Sequence, residues 1–135
     1  MPVIKGSCSC GRVTYQSSAD PVFTGVCHCR ACQKATGSAF ATVVAVPTAS
    51  LTVTGTPRRV DGIGDSGKLT HRDFCPDCGS TVTESADVMA GLTMVTVGTL
   101  DDPSWVTPST QIYCDSAQPW VSLGGGFQSF AKMPG

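Results

Sequence analysis

Charge is scarce in this sequence. Asp, Glu, Lys and Arg make up 14% of its 135 residues, where an average soluble domain carries about 25%. Ser, Thr and Gly must supply much of the polar surface. Neither sign prevails: 9 basic and 10 acidic side chains leave a formal charge of -1, which speaks against the basic footprint of a nucleic-acid-binding surface. No apolar run reaches the ~20 residues of a membrane-spanning helix, so no membrane partner is expected. The amino terminus, MPVIKGSCSCG, lacks the apolar stretch of a secretory signal, and a cytoplasmic, reducing location follows as the expectation. A long amphipathic helix and an internal repeat are also missing. What remains is a chain of one-domain length, 41% hydrophobic, read as a single domain over residues 1–123 with a C-terminal tail over 124–135 after Gly124-Gly125-Gly126.

Cysteine, by contrast, is plentiful. There are eight, which in a secreted chain could form four disulfides. Their spacing argues for metal instead. CxC and CxxC pairs without a secretion signal read as ligand pairs, since two closely spaced thiolates can grip one tetrahedral ion. Cys27, Cys29 and Cys32 crowd into VCHCRACQK, Cys8 and Cys10 lie upstream, and Cys75 and Cys78 form the knuckle CPDCG downstream. Cys8, Cys10, Cys75 and Cys78 complete a four-thiolate set, which closes the shell of zinc and marks a structural site. Cys27, Cys29 and Cys32 are left with three thiolates, so a fourth position stays open to water or a substrate atom. Cys114 or His71 as a fourth ligand, closing both sites, is the competing division. The irregular set of seven does not match a common iron–sulfur pattern. Seven thiolates outweigh two divalent cations, which moves the protein still further from polyanionic partners.

Between the cysteines the pattern is one of short strands broken by Gly, Pro, Asp and Ser turns. Alternation predicts strands at Cys10–Ser17, Val22–Cys27, Leu51–Val53, Lys68–Phe74, Ser80–Thr83 and Thr110–Cys114. FATVVAV, residues 40–46, is the most apolar run and reads as a buried strand. Residues 89–100 read as a further strand and Trp120–Leu123 as a short one. Arg58 to Gly67 reads as a polar loop. Arg30–Gly37 is expected to make one or two helical turns capped by Gly37. The fold class is therefore mainly β, built of short antiparallel strands.

GSCSCGRVTY, CHCRACQKATGSAF, FCPDCGS and VTVGTLDDP, in this order, resemble the glutathione-dependent formaldehyde-activating enzyme family, which also contains centromere-protein-V-like domains. The likeness spans about residues 4 to 123. It implies an Mss4-like zinc-binding fold with two zinc ions, one structural at Cys8, Cys10, Cys75 and Cys78, and one on the substrate side, open to loss, at Cys27, Cys29 and Cys32. It further implies a zinc-dependent carbon–sulfur lyase-like reaction. A small thiol such as glutathione would be added to, or released from, an aldehyde or related electrophile; the family's reference reaction forms S-hydroxymethylglutathione. The other reading is a non-catalytic, zinc-stabilised protein-interaction or chaperone module, which predicts two closed sites. A homo-oligomer is compatible with either.

The catalytic set expected on these grounds is Cys27, Cys29 and Cys32 with His28, whose imidazole lies between two ligands as a proton carrier or a hydrogen-bond partner. Arg30, Lys34, Arg58 and Arg59 are cations that could receive substrate carboxylates, with an ordinary solvated surface favoured for the last two. His71 reads as a satisfied structural histidine. Two positions depart from the resembled pattern. Gln33 stands where members often carry arginine, and Cys114, in IYCDSAQPW, stands where they commonly carry a serine- or threonine-like residue. Cys114 reads first as a buried, inert thiol, and Tyr113 and Trp120 as candidates for a pocket wall or core packing.

Overall fold

Strands dominate the computed structural model, which describes residues 3–134. Residues 1 and 2 of the expected domain and residue 135 of the expected tail lie outside the described residues. In chain order the elements are β1 (Ile4–Ser7), β2 (Thr14–Ser17), β3 (Phe23–Cys27), α1 (Arg30–Thr36), β4 (Ala41–Pro47), β5 (Leu51–Thr54), β6 (Arg58–Ile63), β7 (Leu69–Phe74), β8 (Thr81–Ala86), β9 (Leu92–Thr96), β10 (Thr110–Ile112) and β11 (Gln128–Ser129). They make a three-stranded sheet, order β1-β2-β5, and an eight-stranded sheet, order β11-β10-β3-β4-β9-β8-β7-β6. Pairing is antiparallel except at one edge, where β10 runs parallel to both β3 and β11.

The apolar run FATVVAV becomes β4, inside the large sheet between β3 and β9. Ala41, Val43, Val44, Ala45 and Val46 are all buried. A strand covered on both faces needs no alternation, which explains the continuous run. One face packs against the small sheet: Ile4, Val13 and Tyr15 meet Val44, Val46, Val82 and Val95 in the core. Gly6 permits that contact. A Cβ there would stand 2.1 Å from the Thr99 carbonyl oxygen and 2.5 Å from the Tyr15 hydroxyl. The other face of the large sheet carries Cys27 and supports α1.

Several segments differ from the sequence-based reading. Arg58 to Ile63 is strand β6, not loop. It is the sheet edge and almost wholly exposed, so its polar composition reflects solvation on both faces. Arg59 there holds Asp73 of β7 through two hydrogen bonds of 2.8 and 3.1 Å. The strand expected over residues 89–100 is confined to Leu92–Thr96, with tight helical turns at Asp87–Met89 and Val97–Thr99 on either side. Trp120–Leu123 is not a strand. Ile4–Ser7 forms β1, which alternation in so short a segment did not reveal. Within the residues read as a tail, Gln128–Ser129 pair with β10 as β11, and Phe130 and Lys132 accept from Cys114 and Tyr113 N–H groups.

Candidate metal centres

The four-cysteine set is built from two tight turns brought together by the sheets. Cys8 and Cys10 follow β1; Cys75 and Cys78 lie in the turn joining β7 to β8. In the second turn the Cys75 N–H donates to the Ser80 carbonyl at 2.9 Å and the Gly79 N–H to the Cys75 carbonyl at 2.7 Å. Gly79 sits at φ 80°, a left-handed conformation that glycine takes without strain. In the first, the Val13 N–H donates to Cys8 Sγ at 3.3 Å. Such N–H groups aimed at sulfur stabilise thiolates at a metal site. The four Sγ atoms lie within 4.8 Å of one another, with 3.6 Å between Cys8 and Cys10 and 3.7 Å between Cys10 and Cys75. Zinc–sulfur bonds of about 2.3 Å in a tetrahedron put sulfurs about 3.8 Å apart. The residues therefore fit a tetrahedral, thiolate-ligated ion such as zinc.

The second set is local. Cys27 ends β3, Cys29 is the N-cap of α1, and Cys32 lies one turn into the helix. The Cys29 sulfur accepts from the Cys32 N–H at 3.3 Å, replacing the usual hydroxyl or carboxylate cap. The helix stops at Gly37, at φ 72°, whose N–H donates to the Gln33 carbonyl at 2.8 Å. The three Sγ atoms lie within 4.8 Å of one another, and no fourth Cys, His, Asp or Glu atom joins them among the described residues. The thiols tune one another. Cys29 is held down at about 2 by hydrogen bonds from Cys27 and Cys32, while Cys27 is pushed up to about 12 by its bond to Cys29. Cys32 is raised further by both neighbours.

Neither proposed fourth ligand reaches this set. His71 is held on both nitrogens, Nδ1 by Asp61 at 2.7 Å and Nε2 by Asp87 at 2.8 Å. Its environment matches the structural histidine the sequence led us to expect. Cys114 is half-buried, in a tight helical turn of Cys114–Ser116, with Sγ 3.7 Å from the Gln111 carbonyl oxygen.

Around the three cysteines the structure places residues of two kinds. His28 is 1% exposed. Its Nε2 pairs with Gln111 Oε1 at 2.8 Å. Gln111 spends its own amide N–H on Ser129 at 2.9 Å, so the imidazole is the donor. Phe40 lies against the ring, centroids 5.8 Å apart. Gln33 is 6% exposed and fully used. Its Nε2 donates to the His28 carbonyl at 2.6 Å and the Ser116 carbonyl at 3.1 Å, and its Oε1 accepts from Arg30 and from Gln118. Of the expected anion-binding cations, Arg30 is thus bonded to Gln33, and Lys34 lies exposed on α1.

Three further residues flank the site that the cysteine pattern did not reveal. Arg72 Nη2 donates to Cys32 Sγ at 3.5 Å, and its Nε lies 3.4 Å from Glu84 Oε1. Burial pushes the Glu84 carboxyl up, opposed by Arg72. Tyr113 is the one non-glycine residue at positive φ among those described, 55°. Burial, then Asp65, pushes its hydroxyl up to about 12, with Cys27 and Cys29 also acting on it. The signal for Arg72 and Glu84 was present: a hairpin through CPDCG that sets Thr70 opposite Ala86 sets Arg72 opposite Glu84, an opposite-charge cross-strand pair. Of two surface concavities, of about 620 and 520 Å³, the second borders α1 and Phe40 and reaches Ser80, and neither has a cysteine in its wall.

The fold and the sites define a small, mainly β domain with two thiolate clusters able to hold metal ions. The chain belongs to the glutathione-dependent formaldehyde-activating enzyme family, whose model matches residues 3–116. A protein of Rhodobacter sphaeroides with a crystal structure shares its fold. That protein is 20% identical, with a TM-score of 0.57, and the match covers 78% of this chain and 92% of that one. A search of curated proteins gave no match. No helix among the described residues is long and apolar enough to cross a membrane.

Proposed function

We propose that this chain is a zinc-dependent carbon–sulfur lyase-like enzyme. It takes a small thiol such as glutathione at Cys27, Cys29 and Cys32 and adds it to, or releases it from, an aldehyde or related electrophile. One observation carries this reading: four sulfurs gather in one cluster and only three in the other. Family membership supports the same chemistry. A zinc ion on three thiolates would supply an open tetrahedral position and favour the deprotonated form of an incoming thiol.

The chain's own residues prepare the place. Cys29 and Cys32 are fixed by the first turn of α1, and Cys27 by pairing with Ala41 of β4 and Ile112 of β10. Tyr113 directly follows Ile112, the residue paired with Cys27. His28 is enclosed, so its part is to tie the cysteine loop to β10 and position Cys27 and Cys29. In the addition, a sulfur–carbon bond forms as the carbonyl π bond breaks, and the thiol proton ends on the new hydroxyl oxygen. Nothing is oxidised or reduced. Departure of the thiol is the same path reversed.

The interaction-module reading needs a closed second site, and neither Cys114 nor His71 closes it. The test is zinc quantification with zinc-edge X-ray absorption, with and without glutathione. Two zinc ions, one gaining a sulfur neighbour when glutathione is added, and product formation once formaldehyde follows, are the expected results. An unchanged sulfur count at saturating glutathione would overturn the proposal.

A further inference from the structure

Arg72 and Glu84 form a largely buried charged pair on the large sheet. The strand register shows where it lies. Phe23 pairs with Ala45, Ala45 with Met94, Met94 with Glu84, and Glu84 with Arg72. Residues paired across a sheet point to the same face, and alternation along β3 puts Cys27 on that face with Phe23. Arg72 and Glu84 therefore share the face that carries Cys27 and α1, away from the apolar core under the small sheet. Their side chains are 24% and 10% exposed. Removing two charges from water costs several kcal/mol per ion, and a hydrophobic pair of similar volume is often as stable or more so.

The pair is also incompletely joined. Arg72 Nε and Glu84 Oε1 face each other at 3.4 Å, and neither has a hydrogen-bond partner within normal range. The nearer contact for the size of the acceptor is at the other end of the guanidinium, where Nη2 donates to Cys32 Sγ at 3.5 Å. Sulfur is a larger atom than oxygen, so 3.5 Å is an ordinary hydrogen bond to it. Glu84 thus aims the guanidinium, and the sulfur of Cys32 receives it.

Three thiolates with an incoming fourth outweigh the two positive charges of a divalent ion. A fully thiolate-ligated ion is electron-rich and a weak Lewis acid. A fixed cation bonded to one of its sulfurs withdraws density from that ligand and offsets the excess negative charge. Arginine stays protonated under all ordinary conditions, which suits a permanent charge. We propose that Arg72, oriented by Glu84, is a positioning residue of the three-cysteine site that holds Cys32 as a ligand and sets the electron richness of the bound ion. This inference rests on that site holding a metal ion, and goes beyond the proposed reaction by assigning what tunes the ion.

The test uses Co(II), titrated into the full-length protein that keeps zinc at the four-cysteine set and has lost any ion from the three-cysteine set, in the absence of any thiol substrate, so that failure of thiol binding cannot be mistaken for failure of this inference. Arg72→Met, and the double variant Arg72→Met/Glu84→Leu that removes both charges together, are compared with Arg72→Lys, which keeps the charge. Circular dichroism and the one retained zinc at the four-cysteine set confirm folding. The expected result is a Kd for Co(II) at the three-cysteine set weakened about 10- to 100-fold in both methionine variants, the usual cost of losing an outer partner of a metal ligand. The sulfur-to-cobalt charge-transfer band should move to longer wavelength, because an uncompensated thiolate gives up electrons more readily. Arg72→Lys should recover most of the affinity. A folded double variant with wild-type Kd and an unmoved band would overturn the proposal, as would a lysine variant no better than methionine.

Discussion

Gln33 donates to the carbonyl oxygen of His28 across 2.6 Å, between α1 and the loop just before it. Gln33 has the second donor on Ser116 and takes Gln118 on its oxygen. One buried amide therefore joins the cysteine loop to the turn that follows β10. Gln33→Ala leaves two carbonyls without a donor, and the cost should be about 2 to 3 kcal/mol. Gln33→Glu should cost more, since a carboxylate facing two carbonyls has nothing to donate. Urea unfolding of the metal-loaded variants measures both; equal midpoints for wild type and Glu would show the amide to be idle.

His28 provides the second tie, through Gln111. His28→Ala should lower stability by about 3 kcal/mol, from the cavity and the stranded Gln111 oxygen. His28→Gln, able to offer an N–H at similar reach, should recover much of that. With the side chain 1% exposed, turnover by His28→Gln should keep the wild-type shape of its pH profile. A limb of the profile that disappears in this variant would return His28 to proton transfer.

The two clusters should differ sharply when broken. Cys78→Ser is expected to abolish the folded state, because structural zinc commonly supplies on the order of 10 kcal/mol, as much as a domain of this size has to spare. Cys29→Ser should leave a folded protein with one zinc. Circular dichroism beside metal analysis separates the two. A folded Cys78→Ser protein retaining two ions would contradict the assignment of the structural site.

His71 has its pKa raised from the ordinary 6.5 by hydrogen bonds to Asp61 and then Asp87. The sign follows from which state binds the proton more tightly. The folded state does, so the bridge contributes fully below pH 6.5, and its contribution is lost as pH rises through the higher folded value. A neutral imidazole can donate from only one nitrogen, leaving one aspartate facing a lone pair. The gap in urea midpoint between wild type and Asp87→Asn should therefore be widest in mild acid and shrink in alkali. A gap constant across that range would show that the bridge carries no proton linkage.

The grouping of the cysteines was legible because it is written in short spacings. CxC and CxxC need little tertiary information to be read as ligand pairs, and the division into four and three agrees with the geometry found. Strands were readable where one face is buried. They failed at β6, whose Arg58, Arg59 and Asp61 all face solvent at an edge, so composition mimics a loop. They failed at β1, where Ile4 alone is an anchor and Gly6 serves a close approach. Arg72 and Glu84 were missed for another reason: a charged residue on a strand looks solvent-facing until the helix that covers it is placed. Gln33 was noticed only for the charge it lacks, whereas two of its four hydrogen bonds depend on a turn more than 80 residues further along.

The two clusters also stand in opposite relation to chain synthesis. Cys10 and Cys75 are 65 positions apart, so the first ligands emerge long before their partners, and the ion that joins them closes a long loop late. Cys27, Cys29 and Cys32 emerge together and can grasp an ion on a chain that has no sheet yet. An ion already held before folding adds to the stability of the fold only the affinity it gains there, such as that from the contact of Arg72 with Cys32. An ion at the four-cysteine set would thus be acquired last and hold the sheets together, whereas one at the three-cysteine set could be acquired first and stay free to exchange.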